Sequence, residues 1–268
     1  MATQYLAIVT GGAQGIGHGI AEALLQTGAK VHFLDFDDAE GHKAQKEFDE
    51  KFGTGKAKFV HCDVSIPDEL EKAFRQAKTE MGGLNVICNN AGIACPLGER
   101  TRWEKVVATN LGATINGSFL GYDLLDKDGN GGVIINTSSL AGLEPAPYAP
   151  VYTSTKAGII GFTRSAAITS PKGVRINVLC PDFTDTKLVR NVMTEMQQVM
   201  SEEDFKKMIL ENIHKTERKD QNVAEQTAPL QPIEIGIEVV NKLIKEKSKH
   251  GEVLIVSKAR GTSYHTFK

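Results

Sequence analysis

Residues 10–17 read Thr-Gly-Gly-Ala-Gln-Gly-Ile-Gly, between an apolar run at 6–9 and a stretch of helical spacing at 15–28. Five of the chain's 26 glycines fall between Gly11 and Gly19. At a strand-to-helix junction, glycines let the chain turn sharply. They also bring backbone N–H groups and the positive helix end against a pyrophosphate. A glycine cluster alone is weak evidence. Here the context supports it, because a second apolar run at 30–34 ends at Asp35, 18 residues beyond Gly17, placed to accept hydrogen bonds from the adenosine ribose. Gly11, Gln14, Gly15, Ile16, Gly17, Asp35 and Phe36 are therefore read as cofactor-binding. A 2′-phosphate beside Asp35 would meet a like charge at ~4 Å, a repulsion of several kcal/mol at an effective dielectric near 20. Neither Gln14 nor Phe36 is basic, and Asp37 and Asp38 follow, so the reading is NAD rather than NADP.

Outward from this junction, β-rich runs at 6–9, 30–34, 57–61, 84–88, 133–137, 174–179 and 252–256 alternate with helical stretches at 15–28, 38–52, 67–81, 103–126, 151–169 and 231–247. Continuously apolar strands such as Val133-Ile134-Ile135 are buried on both faces. Repeated strand-helix-strand units then predict a doubly wound α/β fold, a parallel sheet of about seven strands with helices on both faces. No Pro/Ser-rich linker divides the 268 residues, which reads as one domain. The segment 181–230 stands apart. It carries Met193, Met196, Met200 and Met208 among Leu188, Val189, Val192 and Val199, a pattern that fits either a lid over an apolar ligand or a helix packed on the core.

Composition excludes several other classes. With 31 basic and 33 acidic side chains, nothing favours a nucleic-acid or anionic-membrane partner. The longest apolar run, 157–162, is far shorter than the ~20 residues of a membrane span. No Lys or Arg precedes Lys30, so a basic targeting start is not expected and the cytosol is the expected location. The cysteines at 62, 88, 95 and 180 form no CxxC pair, which predicts buried thiols rather than disulfides or a metal site.

Tyr152 and Lys156 lie four apart on a stretch that Pro150 helps to start, so their side chains share a helix face. A phenol titrating near 10 is a poor base, and bringing it to ~7 takes roughly 4 kcal/mol. A lysine ammonium ~4–5 Å away, in a partly desolvated site, supplies energy of that order. Ser139, 13 residues before Tyr152 and at the C-terminal end of a strand, can orient a substrate oxygen and stabilise developing charge. Its neighbour Ser138 is the alternative for that role.

The motif at 10–17, Asn89-Asn90-Ala91-Gly92, Ser139 and Tyr152-x(3)-Lys156, all in family order, resemble the short-chain dehydrogenase/reductase family. The resemblance covers nearly the whole chain. It implies Ser139, Tyr152 and Lys156 as catalytic residues, with Lys156 also holding the nicotinamide ribose. It further implies that Asn110 bends its helix and supports a proton relay. Asp63 and Val64 match the pair beside the adenine, Asn90 a residue near the adenosine ribose, and Pro181, Thr184 and Thr186 the segment closing over the nicotinamide. That segment is usually Pro-Gly-x-x-x-Thr, and here Asp182 replaces its glycine.

Within the family, the likeness at 136–143, 161–167, 180–181 and 257–258 is to members that oxidise an eicosanoid hydroxyl to a ketone. Those members place a glutamine where this chain has Ala149, so Ser139, Ala149 and Tyr152 are the expected substrate contacts. They also use a lid tyrosine, and this chain has no Tyr between 152 and 264. A different small alcohol, a steroid or a retinoid is the alternative substrate, and a non-catalytic dinucleotide sensor a remote one. Gly158 and Gly161 on the 151–169 helix predict close helix packing, and the resemblance implies a homodimer through it and the 103–126 helix.

Overall fold

A computed structural model describes residues 4–94, 101–125, 131–144, 146, 148–199, 201–203 and 229–267. Its strands are β1 (Leu6–Thr10), β2 (Lys30–Asp35), β3 (Ala57–His61), β4 (Val86–Asn89), β5 (Gly132–Thr137), β6 (Val174–Pro181), β7 (Val253–Ser257) and β8 (Gly261–Tyr264). They form one sheet in the order β3-β2-β1-β4-β5-β6-β7-β8. The first seven are parallel, and β8 runs antiparallel to β7. The seven parallel strands match the expected sheet of about seven, and β8 adds an antiparallel edge. Its Gly-Thr-Ser-Tyr sequence has no apolar run, and it is held by pairing with β7 rather than by burial.

The helices are α1 (Gly15–Gln26), α2 (Asp38–Phe52), α3 (Pro67–Met81), α4 (Trp103–Val107), α5 (Ala113–Leu124), α6 (Pro150–Thr169), α7 (Lys187–Val199) and α8 (Pro232–Glu238). The stretch predicted as one helix over 103–126 is α4 and α5 joined by a π turn, Ala108–Gly112, and position 126 lies outside the described residues. Alternate strand residues face opposite layers. Ala7 and Val9 pack with Ile20 and Leu24 of α1, Phe48 of α2 and Ile235 of α8. Ile8 packs with Leu70 and Phe74 of α3, Leu120 of α5 and Ala166 of α6.

Because β1 is flanked by β2 and β4, the chain leaves it in opposite directions, and a crevice opens at the C-terminal ends of β1 and β4. Parallel sheets bind ligands there. Within 181–230, residues 204–228 lie outside the described residues, as does Met200. Met196 is buried, and Leu230 returns to bridge with Thr184. Cys62, Cys88 and Cys180 are buried free thiols, and burial pushes each up to about 12. Cys95 lies outside the described residues. Among the described residues no helix is long and apolar enough to cross a membrane.

Candidate active site

The glycine loop sits at the crevice. Gly11 and Gly15 adopt φ of 64° and 60°, backbone that other residues rarely take. A Cβ on Gly17 would stand 2.1 Å from the Gly11 carbonyl oxygen, so the first turn of α1 packs directly on the loop. Gln14 is the N-cap of α1 but its side chain makes no capping bond, which leaves the first-turn N–H groups facing outward for an anion. Ile16 anchors the turn in the core.

Asn90 clamps the loop from the β4 side. Its backbone N–H donates to Thr10 Oγ1 (2.9 Å), and its Nδ2 donates to the carbonyls of Thr10 (3.1 Å) and Gly11 (3.4 Å). Asp35 clamps it from the other side. Its carboxylate accepts from the backbone N–H groups of Ala13 (3.1 Å) and Asp37 (3.2 Å), and burial raises its pKa against those bonds. Phe36 beyond it is 64% exposed, an open aromatic face at the adenosine end. Asp63 accepts from Lys105 Nζ (2.7 Å) and from Ser65. Burial pushes its carboxyl up, but these bonds outweigh it and hold the group below the usual range. Val64 is buried beside it. The positive-φ glycines, the uncapped helix start and the carboxylate at the end of β2 together fit a dinucleotide.

The other half of the crevice holds the reactive groups. Lys156 and Tyr152 lie on α6, with the Lys156 Nζ 5.5 Å from the Tyr152 ring centre. The ammonium donates to the Thr137 carbonyl at the end of β5 (2.9 Å). Desolvation pushes the Tyr152 phenol up to about 12, outweighing the opposing effect of the Ser139 hydroxyl beside it. Burial also takes Lys156 down to about 8. Desolvation thus acts on both groups and favours the neutral form of each.

Ser138 is buried and donates to the Lys156 carbonyl (2.7 Å), which leaves Ser139 as the serine that meets Tyr152. Asn110 lies in the π turn. Its Oδ1 accepts from the Ile93 N–H (2.8 Å), and its Nδ2 donates to the Ile93 carbonyl (2.9 Å) and to Thr155 Oγ1 (3.1 Å). It therefore ties the strand-end segment after β4 to α6. Ala149 is the buried N-cap of α6.

The segment after β6 runs back against the glycine loop. Pro181 pairs with Val256, Thr184 is buried, and Thr186 Cγ2 lies 3.2 Å from where a Gly15 Cβ would stand. Two residues enter the site that the motifs did not single out. Thr155 holds Asn110. Tyr148 lies close enough to Tyr152 and Asp182 to interact with both, and burial raises its phenol. An aromatic residue one turn before Tyr152 was the available signal.

Comparison with known proteins follows the same outline. A family model described as short chain dehydrogenase matches residues 5–197. Among curated proteins the chain is similar to 15-hydroxyprostaglandin dehydrogenase [NAD(+)] of Mus musculus, 38% identical over 98% of this chain and 93% of that protein. It is also 34% identical to 3beta-hydroxysteroid dehydrogenase 2 of Eggerthella lenta, over 68% of this chain and 72% of that one. Among solved structures, ligand-free aldohexose dehydrogenase of Thermoplasma acidophilum superposes with a TM-score of 0.75 at 26% identity, covering 96% of this chain and 94% of that chain.

Proposed function

The chain belongs to the short chain dehydrogenase family, and from that premise we propose that it oxidises the secondary alcohol of a hydroxylated lipid, of the 15-hydroxyprostaglandin kind, to the ketone. The observation that carries the reading is Lys156 and Ser139 gathered around the Tyr152 phenol, opposite the glycine loop. NAD, when bound, supplies the hydride acceptor and a positive ring that adds to the Lys156 charge in favouring the phenolate. Tyr152 takes the hydroxyl proton of the substrate. Ser139 donates to the substrate oxygen and holds it against Tyr152. Lys156, held by the Thr137 carbonyl, places its charge beside the Tyr152 ring, where it favours the phenolate. Asn110 positions α6 and the strand-end segment so that these groups stay in register.

In this reading the described part of the segment, α7, lies over the substrate, and the half-buried Met193 gives it an adaptable apolar contact. A steroid or another compact secondary alcohol is the second reading. It is favoured by the buried methyl of Ala149, which offers an extended substrate no hydrogen bond, and by the similarity to the hydroxysteroid enzyme. A homodimer through α5 and α6 also belongs to the proposal. A methyl group at Gly161 would meet no atom within 4 Å, while Phe119 is 52% exposed beside Tyr122 and Phe162. The buried free thiols fit a cytosolic, reducing compartment.

The test is NADH absorbance with the purified protein over hydroxy-eicosanoids, hydroxysteroids and short secondary alcohols, each with NAD and with NADP. The expected result is the highest kcat/KM for a hydroxy-eicosanoid with NAD. A higher kcat/KM for a steroid or a short alcohol would remove the lipid assignment.

A further inference from the structure

Asp182 stands where the resemblance expects a glycine, and its surroundings give the substitution a purpose. Among the described residues only glycines have positive φ, so the backbone at 182 is not in a conformation reserved for glycine. Its backbone N–H donates to the Val256 carbonyl (2.9 Å), extending the β6–β7 ladder by one residue. The carboxylate then makes two bonds that a glycine could not. Oδ1 accepts from the Phe183 N–H (2.8 Å), and Oδ2 accepts from the Ser257 hydroxyl (2.6 Å) at the end of β7.

Ser257 is buried, and its oxygen also accepts from the Arg260 N–H (3.1 Å). The Arg260 guanidinium in turn donates to both oxygens of Glu144 (2.7 and 3.3 Å), on the segment that follows Ser139. The loop that starts at Asp182 is further held by the Thr184 hydroxyl on the Asp182 carbonyl (2.8 Å), and it ends with Thr186 against the glycine loop. The segments after β6 and β7 are thus joined through the Asp182 carboxylate and the Ser257 hydroxyl, and the segment after β5 is tied to them by the Arg260–Glu144 pair.

We propose that Asp182 and Ser257 form a latch that holds residues 182–186 in place over the nicotinamide end of the cofactor site, replacing the freedom of a glycine with a fixed loop. The proposal rests on the dinucleotide reading of the crevice. The two halves of such a sheet take the two halves of the dinucleotide. The adenosine half meets Asp35 and Phe36 beyond β2, whereas the loop after β6 lies on the side of Tyr152 and Ser139. A latch on that loop therefore acts chiefly on the nicotinamide half. Asp182 and Ser257 are positioning residues, since they act through the loop.

The experiment is calorimetric titration of the full chain with NADH and, separately, with ADP-ribose, which carries the adenosine and pyrophosphate without the nicotinamide ring. Wild type is compared with Asp182→Ala, Ser257→Ala, the double variant and Asp182→Asn. A charge-assisted hydrogen bond corresponds to about tenfold in affinity. Asp182→Ala and Ser257→Ala are each expected to weaken NADH about tenfold while ADP-ribose changes by less than about twofold. The double variant is expected to be no weaker than the weaker single one, because both remove the same link. Asp182→Asn keeps an acceptor for Phe183 and a polar contact to Ser257, and is expected to recover most of the NADH affinity.

Unchanged NADH affinity in both alanine variants, parallel loss of NADH and ADP-ribose, or additive effects would overturn the latch. Ser257→Ala removes a single oxygen and keeps the comparison decisive if Asp182→Ala does not fold. A wild-type chain that binds neither ligand would instead overturn the dinucleotide reading beneath it.

Discussion

His32 shows what a single buried residue contributes away from the site. It lies in the middle of β2, with Nδ1 lacking a partner and Nε2 3.8 Å from Glu80 Oε2. Burial takes the imidazole down to about 4, although Glu80 pulls it upward. The folded pKa is below the unfolded value of ~6.5, so the unfolded chain takes up the proton first as pH falls. The stability associated with a neutral His32 is full above ~6.5 and is lost as pH drops toward ~4. Urea unfolding at several pH values is expected to show wild type losing up to about 3 kcal/mol more than His32→Phe across that range. Parallel losses would contradict it.

At the active site the same effect of burial was not legible from spacing. The pattern Ser139, Tyr152, Lys156 identified the groups, but not how strongly desolvation would act on them. Sequence also left Ser138 and Ser139 as alternatives, and only the bond from Ser138 to the Lys156 carbonyl separated them. Asp182 read as an unexplained charge, because its partner Ser257 is 75 residues away.

At the scale of elements, close approach decides more than propensity. Gly19 of α1 faces α8, and a methyl there would stand 2.1 Å from the Pro232 carbonyl oxygen. The contact is backbone against backbone, which cannot yield as a flexible side chain would. Gly19→Ala is expected to destabilise the fold by about 1–3 kcal/mol despite alanine's better helix propensity, read as a shift in the urea midpoint. A midpoint equal to or above wild type would show that α8 moves aside freely.

The seven parallel strands were legible because buried strands carry long apolar runs, and helix starts were marked by Pro67, Pro150 and Pro232. Two elements were not. The edge strand β8 is polar and depends on its register with β7, and the π turn at 108–112 follows from Asn110 reaching across to Ile93 and Thr155. Helical periodicity carries neither signal.

At the scale of the molecule, the outer face of α5 and α6 bears on assembly. Gly158 is accounted for within the chain, since Leu111 lies 3.1 Å from its methyl position, whereas Gly161 faces open space. Phe119, half exposed, packs edge-on against Phe162 next in sequence to that glycine. Phe119→Glu is expected to convert a dimer to a monomer in sedimentation velocity, and a wild-type monomer at micromolar concentration would contradict the assembly. The dehydrogenase reading rests on the crevice, where two clamps on the glycine loop face the half-buried Tyr152 with Ser139 beside its phenol. Its most direct test is Tyr152→Phe, which removes one oxygen and leaves the ring in place, assayed for NADH production and NAD binding together. At least a ~100-fold loss of kcat is expected, with NAD affinity nearly unchanged. Wild-type turnover by that variant would contradict it.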